Sequence, residues 1–200
     1  IFSAFVATTQ ISGLRKLSVD KLAAQINKNL IGRIEFSDYR YKFFGGIEVF
    51  DVRVMAAGDT LAFVERALVD FEYKPLFNQK AKIQRVVFDS PRIKFLRGTD
   101  SSWNFEQIAE PREDTTVPEP SDWIINLRKI KLNDGTLLVY DSTAVDIDPE
   151  KLNFTRLDLD NLNLHLSARL EPANNDIRTK LKKLSFRDIN SGFRLKKFSV

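Results

Sequence analysis

The sequence predicts a mainly β protein, one N-terminal helix followed by an antiparallel, open β-sheet. Three observations carry this. Apolar residues recur with a period of two in many short runs, as in Arg92-Ile93-Lys94-Phe95-Leu96-Arg97. Turn formers separate these runs, among them Gly45-Gly46, Ala57-Gly58-Asp59-Thr60, Ser90-Pro91, Gly98-Thr99-Asp100 and Ser191-Gly192. A helical period is sustained only once, near the N-terminus. With no long helices between the strands, βαβ crossovers are not expected and the sheet should be mostly antiparallel.

The helix is expected over 19–30. Ser18 can cap it, Val19, Leu22, Ala23, Ile26 and Leu30 form one apolar stripe, and Gly32 follows as a left-handed terminator. The period then switches to two in Arg33–Ser37, with Tyr39–Phe44 as a further extended piece before the Gly45-Gly46 turn. Ile47 and Val49 share a face, but Val52 and Val54 fall one residue out of step, so a bulge is expected near Asp51. Leu61–Val64 and Ala67–Tyr73 read as two more strands. The stretch 75–108 holds two strands, 83–88 and 92–97, broken by Ser90-Pro91, then a turn and a short helix opened by Trp103-Asn104-Phe105. Residues 110–121, EPREDTTVPEPS, are a linker or surface loop rich in proline and acid. Beyond it, Ile125, Leu127, Ile130 and Leu132 mark a strand, Asn133-Asp134-Gly135 a hairpin turn, and 136–141 the returning strand. Phe154–Asp160 alternates on odd positions and Leu162–Leu170 on even ones, which requires a bulge or break at Asp160-Asn161. Leu184, Phe186, Phe193, Leu195, Phe198 and Val200 belong to the last strands. Four regions result: 1–16, the end of an anchor or leader; 17–110, helix and sheet; 111–122, linker; 123–200, a second run of strands continuing the sheet.

Composition narrows the function. The 200 residues include 16 Phe, one His and no Cys, which removes most thiol, imidazole and soft-metal chemistry and suits an oxidising compartment such as the periplasm. No catalytic residue, cofactor site or metal site is assigned. The net charge of +4 is spread along the chain, with acids interleaved among bases as in Arg156–Asp160, so a nucleic-acid partner is not expected. No run reaches the roughly 20 apolar residues needed to span a bilayer. The apolar opening Ile1–Ala7 lacks an initiating Met and looks like the cut end of something longer.

Several segments together resemble the AsmA-like, TamB-related proteins of the periplasm. The helix ending near Gly32 leads into a strand, as at the start of that family. Phe43–Val52 is similar to its "l.l.gv.v.dv.v" segment, Lys74-Pro75-Leu76-Phe77-Asn78 to its "pLl.g" turn, and Asp89–Ile93 with Asp100–Phe105 to its "p.v.l.rd.dg..N" signature. Leu184-Ser185-Phe186 and Ser191–Leu195 resemble segments of the long TamB-like chains. The resemblance covers most of 17–110 and, more weakly, 123–200; Ser101-Ser102 departs from it where glycine often follows the aspartate.

The resemblance implies a curved, taco-like incomplete barrel, anchored to the inner membrane of a Gram-negative-type envelope. Its apolar inside would shelter phospholipid acyl chains on their way to the outer membrane, with an outer-membrane assembly barrel as partner. Ten to twelve strands at ~4.8 Å stack to only roughly 50 Å, so this would be the N-terminal part of a longer chain. The alternative is a scaffold or chaperone module that binds outer-membrane proteins by strand addition.

The candidate groove residues are Phe36, Val49, Val69, Phe71, Val86, Phe88, Ile93, Phe95, Ile130, Leu132, Leu164 and Leu166. Alternation alone does not separate groove lining from a closed core. The remaining polar candidates have plainer roles. Asp158 and Asp160 are expected on a solvated face, and His165, out of parity with its leucine neighbours, at an exposed or edge position. Trp103-Asn104 should be a structural plug, and Gly45-Gly46 lacks a phosphate-loop context. Lys180, Lys182 and Lys183 could meet anionic head groups or guard an edge.

Overall fold

The computed structural model describes Ala23, Ala24 and Asn27 and residues 30–42, 46–56, 58–72, 80–108, 124–144, 151–171 and 176–198. The helix expected over 19–30 lies for the most part outside these residues and is not among the elements they define. The 1–16 segment and the 110–121 linker lie outside them altogether.

The described residues are dominated by ten strands in one mostly antiparallel sheet: β1 (Arg33–Glu35), β2 (Asp38–Tyr41), β3 (Ile47–Ala56), β4 (Asp59–Glu72), β5 (Lys80–Asp89), β6 (Arg92–Arg97), β7 (Ile124–Asp141), β8 (Arg156–Glu171), β9 (Asp176–Asp188) and β10 (Arg194–Phe198). The order is β1-β3-β4-β5-β7-β8-β9-β10, with β2 beside β3 and β6 between β4 and β7. Sizeable contact between strands occurs only where they are sheet neighbours. The sheet is open, not a closed barrel.

Two expectations change here. The absence of long helices did not exclude parallel pairing: β5 and β6 both run parallel to β7, in one unbroken register from Lys80↔Ile124 to Arg97↔Asp141. The stretch between β6 and β7 is longer than the dozen residues a crossover needs, so no long helix is required. Asn133-Asp134-Gly135 is not a hairpin turn either. β7 runs straight through it as an 18-residue strand. Likewise 61–64 and 67–72 form one strand, as do 156–160 and 162–171.

Left-handed residues explain how such long strands keep their pattern. Asp51, Ser90, Asp134 and Asn161 have φ of 50, 48, 50 and 51°. They stand at one level of the sheet. The Ser90 N–H donates to Asn133 O (2.9 Å), the Asp134 N–H to Asn163 Oδ1 (3.2 Å), and Ser37 Oγ–H to Asp51 Oδ2 (2.7 Å). Asp and Asn tolerate this conformation better than β-branched residues. The registers of β3 with β4 and of β5 and β6 with β7 run through this line unchanged, whereas β8 shifts against both β7 and β9 there. The slips expected at Asp51 and Asp160-Asn161 are two points of this transverse line. At Asp51 the residue is left-handed without a change in its β4 register, whereas β8 shifts against β9 between Asp160 and Asn163.

Gly135 closes the line. A Cβ there would lie 2.6 Å from Leu132 Cδ2 and 3.0 Å from Cγ of Pro91, which is fully buried. Gly135→Val should therefore force β7 away from the Ser90-Pro91 bend and destabilise the chain by about 2 kcal/mol. Chemical denaturation checks this; an unchanged midpoint would mean the contact relaxes freely.

Candidate functional site: an apolar ladder across the sheet

Strand register brings most of the candidate residues together. One rung runs Val49↔Ala67↔Phe88↔Leu132↔Leu164↔Leu184, and the next runs Ile47↔Val69↔Val86↔Ile130↔Leu166↔Leu181. Directly paired residues share a face, so eight of the twelve candidates stand side by side on six strands. Phe71, paired with Ile83, continues the ladder in β4. Ile93 lies beyond the left-handed line in the row Ala62↔Ile93↔Leu137↔Leu159. Phe95 pairs with Val139 but meets Phe105 edge-on at 5.3 Å, and Phe36, between β1 and β2, meets Tyr39 edge-on at 6.5 Å. These two are not part of the rungs.

Two further bulges keep the rungs aligned. Ile83 and Val86 are three residues apart on β5, as are Leu127 and Ile130 on β7, yet they pair with Leu127 and Ile130 in step. The extra residues, at Gln84-Arg85 and Arg128-Lys129, lie opposite one another, and the Arg128 guanidinium donates to Gln84 Oε1 at 3.1 Å. The ladder is therefore continuous although neither strand alternates strictly.

The candidates share one degree of burial, although Ala67 within a rung is 8% exposed. Eleven of the candidates are half-buried (the side chain of Phe71 is outside the description), and none is in the buried core. Because all ten strands lie in one sheet, no second sheet covers this face among the described residues. On the opposite face Leu68 and Val87, paired with each other, are 6% and 7% exposed. They are sealed by charge pairs on either side: Arg66 on Asp89 (2.6 Å) and Glu48 (3.8 Å), and Arg85 on Asp70 (2.6 Å). Lys42 stands 3.8 Å from Glu48 and 3.9 Å from Asp70. Burial pushes the Asp89 carboxyl up, but hydrogen bonds from Asn133 and Arg66 outweigh it and hold Asp89 below its usual value.

Neither family models, nor curated proteins, nor solved structures contain a match to this chain.

The polar candidates take structural places. Asp160 is bound by the Arg187 guanidinium, whose hydrogen bond holds the carboxyl below its ordinary range against partial burial. Asp158 sits beside the buried Asp188, which accepts the Asp158 N–H at 3.0 Å. His165 is neither exposed nor at an edge. It lies mid-sheet on β8, paired with Lys131 and Lys183, and its half-buried ring carries a buried Nε2 with no partner among the described residues. Burial, then the charges of Lys182, Lys131 and Lys129, push its pKa down and so favour the neutral ring. Asn104 acts as a substitute strand neighbour for β6, accepting the Leu96 N–H and donating to Lys94 O, both at 3.0 Å. Trp103 stacks on Phe105 at 5.7 Å. Among the described residues no acid, His or Cys cluster could hold a metal.

Sequence reasoning missed Asp188, the most buried charged residue among the described residues at 1% exposure. Its signal was the spacing Asp188–Ser191–Gly192. A carboxylate followed three residues later by Ser and a left-handed Gly (φ 71°) can take the turn's N–H groups.

Proposed function

We propose that the chain is a segment of a periplasmic, AsmA/TamB-like lipid conduit, non-enzymatic, in which the apolar ladder receives phospholipid acyl chains. The observation that carries this is the pair of uninterrupted apolar rungs, largely half-buried in a single-layer sheet, while around β2–β5 the other face is closed over by charge pairs. Six strands at ~4.8 Å make each rung roughly 25 Å long, against the ~15 Å half-thickness of a bilayer's hydrocarbon core. An acyl chain laid along it gains about 0.8 kcal/mol per CH₂ removed from water. In this proposal the sheet curls into a trough, the head group stays in water at the open seam, and an anchor upstream holds the protein to the inner membrane.

Photocrosslinkers at Val86 and Ile130, with Val87 on the opposite face as control, test it. Crosslinks to phospholipid from the first two alone, with phospholipid found by mass spectrometry in the gently purified protein, are the expected result. No lipid in either assay would overturn it. Strand addition to an outer-membrane protein is favoured by one observation: β10 pairs with β9 only from Leu184 to Arg187. Among the described residues the edge of 176–183 therefore has no neighbour on that side. Crosslinks from this edge to barrel precursors, without lipid, would favour that reading.

A further inference from the structure

The β8 bulge opens a notch on the polar side of the sheet. Asp160 pairs with Arg187 and Asn163 with Ser185, so two residues of β8 stand opposite Phe186 alone. The left-handed Asn161 turns the strand there, and the backbones part. The resulting cavity, about 330 Å³, is lined by Asn161, Asn163, Ser185, Arg187, Arg194 and Lys196 together with the flanks of Phe186 and Leu195.

The charges in this notch differ from those elsewhere on the polar face. Around β2–β5 the cations Lys42, Arg66 and Arg85 all have carboxylates beside them. In the notch the one carboxylate, Asp160, is bonded to Arg187 and is also within electrostatic reach of Arg194, so cations outnumber it. Among the described residues Arg194 and Lys196 form no ion pair. Asn163 is locked in place, its amide donating to Asn161 O (2.8 Å) and accepting the Asp134 N–H (3.2 Å), so it builds the wall and leaves donation to others. Arg194 shares a face with Arg187 through direct pairing, and Lys183 continues that face beside His165. A guanidinium, an ammonium and a hydroxyl thus line one concavity next to a further lysine.

We propose that this notch binds a phosphate-bearing anion, with Arg194 as the forked donor, Lys196 as the point charge and Ser185 as the hydroxyl donor. The inference goes beyond acyl-chain binding and does not depend on it, since the notch and the ladder lie on opposite faces.

The test is calorimetric titration of the chain with inorganic phosphate and, separately, with monomeric dihexanoyl phosphatidylglycerol. Arg194→Gln/Lys196→Gln is compared with Arg33→Gln/Lys94→Gln, an exposed double change of equal charge far from the notch. The notch double should weaken phosphate binding by tenfold or more, as expected for losing two charge-assisted contacts, and the distant double by less than about twofold. Mutual competition between phosphate and the short-chain lipid would assign the notch to head groups; phosphate binding that the lipid does not displace would assign it to a free phosphate compound. Equal losses in both doubles, or no phosphate binding by the parent chain, would overturn the proposal. Circular dichroism of both doubles ensures that a folding defect is not read as lost binding.

Discussion

Phe88→Asp is expected to abolish acyl-chain crosslinking while leaving the sheet folded. Phe88 sits between Ala67 and Leu132 in the middle of one rung, so a carboxylate there interrupts the apolar path for both neighbouring strands. Covering an ionised group in hydrocarbon is prohibitive unless it is paired. A bound chain would have to skip about four CH₂ groups, a loss of roughly 3 kcal/mol or some hundredfold in affinity. Folding should survive because Phe88 is half-buried in the free protein and a carboxylate there can reach water. The comparison is Leu68→Asp on the opposite face, where the side chain is 6% exposed. That substitution should unfold the domain. Thermal unfolding of the two variants separates an open face from a closed one: if Phe88→Asp is as damaging as Leu68→Asp, the ladder is core and not a groove.

The second large effect belongs to Asp188. Its Oδ1 accepts the Asp158 N–H at 3.0 Å, and its Oδ2 accepts both the Ser191 N–H at 2.9 Å and the Ser191 hydroxyl. The Asp188 N–H donates to Phe193 O and the Ile189 N–H to Asp158 O, both at 2.8 Å. One carboxylate therefore ties the β9–β10 turn to β8. Asp188→Ala leaves buried donors without partners and should cost about 3 kcal/mol, roughly a 10 °C fall in Tm for a chain of this size. Burial pushes this carboxyl up, but the bonds from Ser191, Asp158 and Asn190 prevail and hold it below its usual value. Its stabilisation is thus complete above the unfolded-chain value of about 4 and is lost as pH falls through the lower folded value. Asp188→Asn keeps the shape without the charge, so its stability should fall less steeply under acid than the parent's. Parallel acid limbs in denaturation midpoints measured against pH would show that the charge of Asp188 contributes nothing.

The ladder was legible because period-two alternation is a local property: Val86-Val87-Phe88 or Leu164-His165-Leu166 shows which residues share a side. The slip at Asn161 was legible for the same reason, whereas the register change expected near Asp51 is a left-handed residue with no shift against β4. What could not be read locally was which strand lies next to which. Asn133-Asp134-Gly135 announces a left-handed backbone, and both a hairpin turn and a single inserted residue satisfy that. The decision is made by Pro91, some forty residues away, whose ring packs where a Gly135 side chain would be. The parallel register of β5 and β6 with β7 is equally non-local, because it depends on a crossover and not on either strand's pattern. His165 was misplaced since parity gives the face of a side chain but not its distance from the sheet edge. The notch went unforeseen because it needs β8, β9 and β10 together.

The shared level of Asp51, Ser90, Asp134 and Asn161 has a consequence for anything that lies alongside these strands at full length. Beside β8, a neighbour of uniform alternation would match on one side of that level and fall out of step on the other, because β8 gains a residue against β9 there. β4, by contrast, crosses the same level in constant register with β3 and β6. β1 and β2 at one border are split there by Phe36-Ser37, and β10 at the other crosses that height with a register shift between Leu195 and Phe198.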